Sequence, residues 1–258
     1  MSKVIFWHRR DLRIDDNAGL YKACKNATHI QPVFIFDTQI LDELERNDAR
    51  VEFIHRELER LATEYALHDI HLRVEIGNPI EIIPALAKEL KVNLVVTNRD
   101  YEPYALQRDK TIFERLQSKG IDFHGAKDHV IFEKNEVVKD DGSPYTVFTP
   151  YSKKWKARLL QQPIEVFDSI RALGKVQGIS KESKIPSLDA LGFRPSGIEF
   201  PSTAVEDLLI QKYSDQRNFP AKPGTSKLGI HLRFGTISVR KLALRALPLN
   251  ETFLNELI

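Results

Sequence analysis

Short apolar runs alternate with amphipathic stretches through the first half of the chain. Residues 4–7, 30–36, 71–75, 94–97 and 121–124 are brief runs rich in β-branched and aromatic side chains, the pattern of buried strands. Helical spacing fills the intervals, at about 17–26, 47–67, 79–90 and 104–119. In the second of these Val51, Ile54, Leu58, Leu61 and Tyr65 recur on one face, and Asn47 or Asp48 can cap its start. Such alternation with short connections predicts right-handed crossovers and an α/β fold. The expected unit is a Rossmann-like parallel five-stranded sheet with flanking helices, over residues 1–130.

The pattern breaks after residue 126. Asp140-Asp141-Gly142-Ser143-Pro144 is a turn signal, and Thr149-Pro150 suits the start of a helix over 151–160. That helix is basic, with Lys153, Lys154, Lys156 and Arg158. The stretch 161–200 has no clear period, and 131–200 reads as an interdomain linker. Helical signals return at Pro201: Ser202 or Thr203 caps a helix containing Val205, Leu208 and Leu209, and helices over 226–234 and 238–247 follow. Residues 201–258 therefore read as helical throughout.

Composition narrows the class. The chain has 258 residues, 42% hydrophobic and 29% charged, as a soluble globular protein has. No apolar run reaches the ~18 residues that span a bilayer, and the N-terminus turns charged too soon for a signal peptide. A single cysteine, Cys24, leaves no internal disulfide and no metal cluster, so a cytoplasmic protein without a metal site is the default expectation. Charge is uneven. Residues 1–140 hold 21 Lys/Arg against 25 Asp/Glu, a net of −4, and residues 141–258 hold 17 against 11, a net of +6. The second half is therefore the one expected to meet a polyanion.

Two places carry candidate chemistry. No Gly-x-Gly-x-x-Gly follows the first strand, which disfavours an NAD enzyme. Ligands of such sheets still sit beyond the carboxyl ends of the strands. Those ends hold His8-Arg9-Arg10, Asp37 and Asn98-Arg99-Asp100-Tyr101-Glu102. Further on, Gly224-Thr225-Ser226-Lys227-Leu228-Gly229 opens an expected helix, whose free N–H groups and hydroxyls would suit a phosphate.

Dispersed segments then agree with one family. Phe6-Trp7-His8-Arg9-Arg10-Asp11-Leu12-Arg13-x-x-Asp16-Asn17 resembles the opening of DNA photolyases and cryptochromes. Asn98-Arg99-Asp100-Tyr101-Glu102-Pro103-Tyr104 is similar to their segment after the fourth strand, and Tyr145-Thr146-Val147-Phe148-Thr149-Pro150-Tyr151 to their interdomain entry. Tyr213-x-x-x-Arg217-x-x-Pro220, then residues 224–228 and Phe234-Gly235-x-Ile237-Ser238-x-Arg240, resembles the start of their FAD-binding domain.

The resemblance implies a light-driven flavoenzyme that splits cyclobutane pyrimidine dimers in damaged DNA by electron transfer from reduced FAD, monomeric when complete. The alternatives left open are a cryptochrome-type photoreceptor fragment and a stand-alone chromophore-binding module. The resemblance makes Tyr213, Thr225, Ser226, Lys227, Leu228 and Gly229 the FAD contacts and Arg217 a DNA contact. His8, Arg9, Asp37 and Asp100 become candidates for an antenna pocket, with structural bracing the competing role of the Arg-Arg-Asp-Leu-Arg motif. Tyr104 and Ala105 stand where folate-binding members carry Asn-Glu, which points to a deazaflavin antenna rather than methenyltetrahydrofolate and leaves a flavin, or none, open. The lesion pocket and the tryptophan electron-transfer chain would lie beyond Ile258, so no catalytic residue is assigned within the chain. On that expectation the helical part is incomplete, its apolar faces lack partners, and the piece alone is inactive and does not retain FAD.

Overall fold

The computed structural model describes residues 2–258. The chain forms two compact units, one of Met1–His129, Phe167–Phe200 and Phe234–Thr236, the other of Val130–Val166, Pro201–Arg233 and Ile237–Ile258.

In the first unit the strands are β1 (Lys3–His8), β2 (His29–Asp37), β3 (Arg73–Gly77), β4 (Leu94–Asn98) and β5 (Asp122–Ala126). Helices α1 (Ala18–Lys25), α2 (Thr38–Leu41), α3 (Ala49–Ala66), α4 (Pro79–Leu90) and α5 (Pro103–Gln117) alternate with them. All pairings are parallel, in the order β3-β2-β1-β4-β5. β1, β2 and β4 are buried almost end to end, as strands covered on both faces must be. Ile5, Trp7, Val33, Ile35 and Val95 pack on Ile83, Leu86, Ile112 and Leu116 of α4 and α5. Asn17, Asp48 and Asn78 cap α1, α3 and α4 by accepting from Leu20, Arg50 and Ile80 N–H groups.

Two details differ from the sequence expectation. In α3 the buried face uses Phe53, not Ile54, because Phe53 meets Phe200 and Phe234 edge-on or tilted, at 5.2 and 5.7 Å. The sheet also gains a sixth strand, β6 (Gln177–Gly178), parallel to the first residues of β2. The stretch expected as a linker is therefore divided. Residues 167–200 belong to the first unit, through α7 (Ser169–Leu173) and β6, and residues 130–166 belong to the second.

In the second unit, α6 (Phe148–Gln161) buries Trp155 against Phe132, with ring centroids 5.2 Å apart. α8 (Asp207–Gln211), α9 (Tyr213–Gln216), α11 (Val239–Ala246) and α12 (Glu251–Asn255) enclose Ile210, Tyr213, Leu228, Leu242, Ala243, Phe253 and Leu254. These helices thus have partners in one another, contrary to the expectation of unpaired apolar faces. α8 starts later than expected, at Asp207 after Glu206, without a side-chain cap, and neither Ser202 nor Thr203 caps it. α10 (Gly229–Phe234) likewise starts three residues late, because Lys227 takes a left-handed φ of 55° that no α-helix accommodates. α11 starts behind Ser238, whose side chain accepts from Lys241 N–H.

Candidate cofactor sites

The carboxyl ends of β1, β2 and β4 meet α5 in a cluster of ions and aromatic rings. The strand order reverses direction between β1 and β4, where ligands of such sheets bind. Arg9 follows β1, and its Nη1 donates to both carboxylate oxygens of Asp109 at 2.6 and 2.7 Å. Its Nη2 donates to the Asn98 carbonyl, while its buried Nε has no hydrogen-bond partner. Burial lowers the guanidinium's pKa, and Asp109 opposes the shift. Trp7 is flanked by two guanidiniums, with Arg9 5.0 Å and Arg108 4.8 Å from its ring centroid. Asp37 ends β2, caps α2, accepts from the Tyr104 hydroxyl at 2.6 Å and lies 3.7 Å from Arg108. Burial and that bond to a carboxylate push the Tyr104 phenol up. Asp100 receives the N–H groups of Tyr101 and Glu102 and pairs with Arg10 at 3.4 Å.

His8 takes a different place. It is fully buried, with Nδ1 on the Asp11 carbonyl at 3.0 Å and Nε2 on the Tyr65 hydroxyl at 2.7 Å. Both ring nitrogens are engaged inside the core, so His8 braces the unit and offers no atom to an antenna. The rest of its motif braces as well. Asp11 accepts from Arg9 N–H at 2.7 Å and from Asn98 Nδ2 at 2.5 Å. Burial would raise its carboxyl, yet His8, the Arg9 N–H and the Asn17 side-chain amide hold it far below the usual range. Arg13 reaches the Asp128 carboxylate at 2.8 Å and the Gly235 carbonyl at 3.0 Å. Gly235 has φ 61°, and a Cβ there would stand 2.3 Å from the Arg10 carbonyl oxygen, so only glycine fits.

The second site lies wholly in the second unit. Tyr213 opens α9, packs its ring on Phe253 at 5.0 Å, and makes no hydrogen bond through its hydroxyl among the described residues. Burial raises that phenol, with Glu256 adding to the shift and Arg217 opposing it. Gly224 lies against α9 so closely that a Cβ would fall 2.8–2.9 Å from the Gln216 carbonyl group. Leu228 shares the core cluster of Tyr213 and pins the other end of the loop. Between them Thr225 and Lys227 are exposed and Ser226 is half-buried. Among the described residues the backbone N–H groups of Thr225, Ser226, Lys227, Gly229 and Ile230 donate to no acceptor. A left-handed residue amid free N–H groups is the backbone form of an anion nest. Arg217, at the end of α9, stacks 5.4 Å from the Tyr213 ring centroid and pairs with Glu256. Along α6, Lys154 pairs with Asp140 at 2.9 Å and Lys156 with Glu251, so half of that basic face is neutralised.

With this geometry the relatives are informative. Residues 4–168 match the DNA photolyase family. The chain belongs to that family. A deoxyribodipyrimidine photo-lyase of Synechococcus is 33% identical over 93% of this chain and 52% of its own length. A Halobacterium salinarum protein of the same name is 32% identical, over 92% and 53%. The chain thus spans about half the length of these photolyases. An uncharacterized 31.6 kDa protein of another Synechococcus strain is 34% identical, over 92% of this chain and 86% of its own length. Among solved structures, an Agrobacterium tumefaciens class III photolyase gives a TM-score of 0.79 at 22% identity, over 99% of this chain and 56% of its own. A Sulfolobus tokodaii photolyase, solved with two FAD molecules, gives 0.75 at 24%, over 99% and 57%. These structural likenesses bear on the fold. Among the described residues no helix is long and apolar enough to cross a membrane.

Residue spacing alone missed Arg108 and Asp109. A signal was present: Ala105, Arg108, Ile112 and Leu116 share the buried stripe of α5, and an arginine on such a stripe needs a partner.

Proposed function

We propose that this chain carries part of the machinery of a light-driven, FAD-dependent DNA repair enzyme that splits cyclobutane pyrimidine dimers. The observation that supports this best is the row of unengaged N–H groups on Thr225, Ser226, Lys227, Gly229 and Ile230, next to α9, in a chain of the DNA photolyase family. In this reading those groups and the hydroxyls of Thr225 and Ser226 hold the pyrophosphate, Leu228 anchors the loop, and Tyr213 supplies its free hydroxyl. When bound, FAD supplies the excited-state electron that opens the lesion. Arg217 exchanges Glu256 for a phosphate of the lesion strand, a charge-assisted contact of the kind that positions protein on DNA.

The residues at the strand ends fit an antenna. Arg9 keeps a buried donor without an acceptor, and half-buried Tyr104, with Arg108 5.4 Å from its ring centroid, offers a flat face to a planar ring. Arg9, Asp37 and Asp100 remain the proposed antenna residues, with a deazaflavin-type ring as the proposed occupant. The chain's cradle gives FAD one wall, so retention of the cofactor by this chain alone is expected to be weak.

A light-dependent dimer-splitting assay on a thymine-dimer oligonucleotide, with reduced FAD added, tests the repair reading. Light-dependent loss of the dimers supports it. A flavin photoresponse without dimer loss assigns the site to cryptochrome-type signalling, a reading kept because a cryptochrome-2 of Arabidopsis thaliana is 28% identical over 93% of this chain.

A further inference from the structure

Within the first unit, α1 and α7 wall a cavity of ≈ 380 Å³. Buried hydrogen bonds fix the two helices together. Asn17 N–H donates to Ser169 Oγ at 3.0 Å, Ser169 Oγ donates to the Ile14 carbonyl at 2.6 Å, and Phe167 N–H donates to Asp16 at 2.8 Å. Tyr21 packs on Phe167, with ring centroids 5.6 Å apart. The buried side chains of Cys24 and Ala172 line the cavity beside Tyr21. Exposed Lys25, Arg171 and Lys175 lie around it, together with Asp168.

These three cations have no carboxylate partner among the described residues. Other arginines of the same unit are paired: Arg9 with Asp109, Arg13 with Asp128, Arg73 with Glu89 and Arg115 with Glu81. The one carboxylate in the lining, Asp168, is committed as the cap of α7, accepting from Arg171 N–H at 3.2 Å. Three formal positive charges thus face one negative. Lys25 and Arg171 lie in the last turns of their helices, where a cation also complements the dipole. Lys25, however, turns back, with Nζ 5.2 Å from the Tyr21 ring centroid. Lys175 lies beyond the end of α7.

We propose that this cavity binds a phosphate group. A guanidinium and two ammoniums around one cavity match a multiply charged oxyanion better than a single carboxylate. The volume is that of a small-ligand pocket, and Tyr21, Cys24 and Ala172 leave an apolar wall for the uncharged part of a mononucleotide. The phosphate comes either from a free nucleotide or from a nucleic-acid strand.

The test is an amide chemical-shift titration of the full chain with inorganic phosphate, AMP and a short oligothymidylate. The expected result is movement of the Tyr21, Cys24 and Ala172 signals, weakened by salt. The triple variant Lys25→Gln, Arg171→Gln, Lys175→Gln should bind at least about tenfold more weakly with an unchanged melting temperature. Tighter binding of AMP than of the oligonucleotide identifies a nucleotide site, and the reverse identifies a nucleic-acid site. Binding of none of the three below about 10 mM, or equal binding by the triple variant, overturns the proposal. Movement confined to Thr225, Ser226 and Lys227 also overturns it, since that reports the other anion site.

Discussion

One nitrogen of Arg9 donates to both oxygens of Asp109, at 2.6 and 2.7 Å, while the Nε of the same guanidinium stays buried and unpaired. The Asn98 carbonyl takes the other terminal nitrogen and Arg108 also reaches Asp109 at 3.2 Å, but Asp109 is the carboxylate that neutralises Arg9. Asp109→Ala strands that charge and is expected to destabilise the chain by about 3 kcal/mol or more in urea unfolding. A loss below about 1 kcal/mol would show that water reaches Arg9.

Asp11 gives the fold a pH dependence. His8 and the donors around its carboxylate outweigh burial and depress its pKa below the unfolded value. Its contribution is then complete above about pH 4 and is lost as the pH falls below that value. Asp11→Asn should flatten stability against pH in that acid range while lowering it at pH 7. An unchanged acid limb in urea titrations from pH 3 to pH 7 would exclude Asp11 as its source.

Gly235 is required twice, by its positive φ and by the 2.3 Å a Cβ would leave to the Arg10 carbonyl. Gly235→Ala should cost about 2–4 kcal/mol, measured as a fall in the urea midpoint. A midpoint within error of the parent would mean that the backbone at Arg10 yields.

Cys24 is buried, and that burial pushes its thiol up to about 12. At pH 8 it should react with an aromatic disulfide reagent only after unfolding, because the thiolate is the reactive form. Immediate stoichiometric reaction of the native chain would show that the α1–α7 cavity opens to its floor.

The first unit was largely legible in the sequence because its signals are local. Buried runs such as 30–36 and caps such as Asp48 act within one element, and the five strands and four main helices follow from them. What escaped depends on contacts far along the chain. β6 is only two residues long and is held by β2, about 150 positions earlier, so no periodicity marks it. Phe53 replaced Ile54 because its partners lie at Phe200 and Phe234. In the candidate sites the motif marked residues without showing their surroundings. His8 looked available and is consumed by Tyr65 and Asp11. The 224–229 loop looked like a helix start, and Lys227 makes it a separate nest ahead of Gly229.

The central claim is that this loop takes the pyrophosphate of FAD. Its most direct test is a titration of the isotopically labelled chain with FAD, followed at the backbone amides. The expected result is a chain purified without stoichiometric flavin. Added FAD should then move the signals of Thr225, Ser226, Lys227, Gly229 and Ile230 together, with at least about tenfold weaker binding in Thr225→Ala/Ser226→Ala. FAD that binds while leaving those five signals in place, or that binds the double variant equally well, would contradict it.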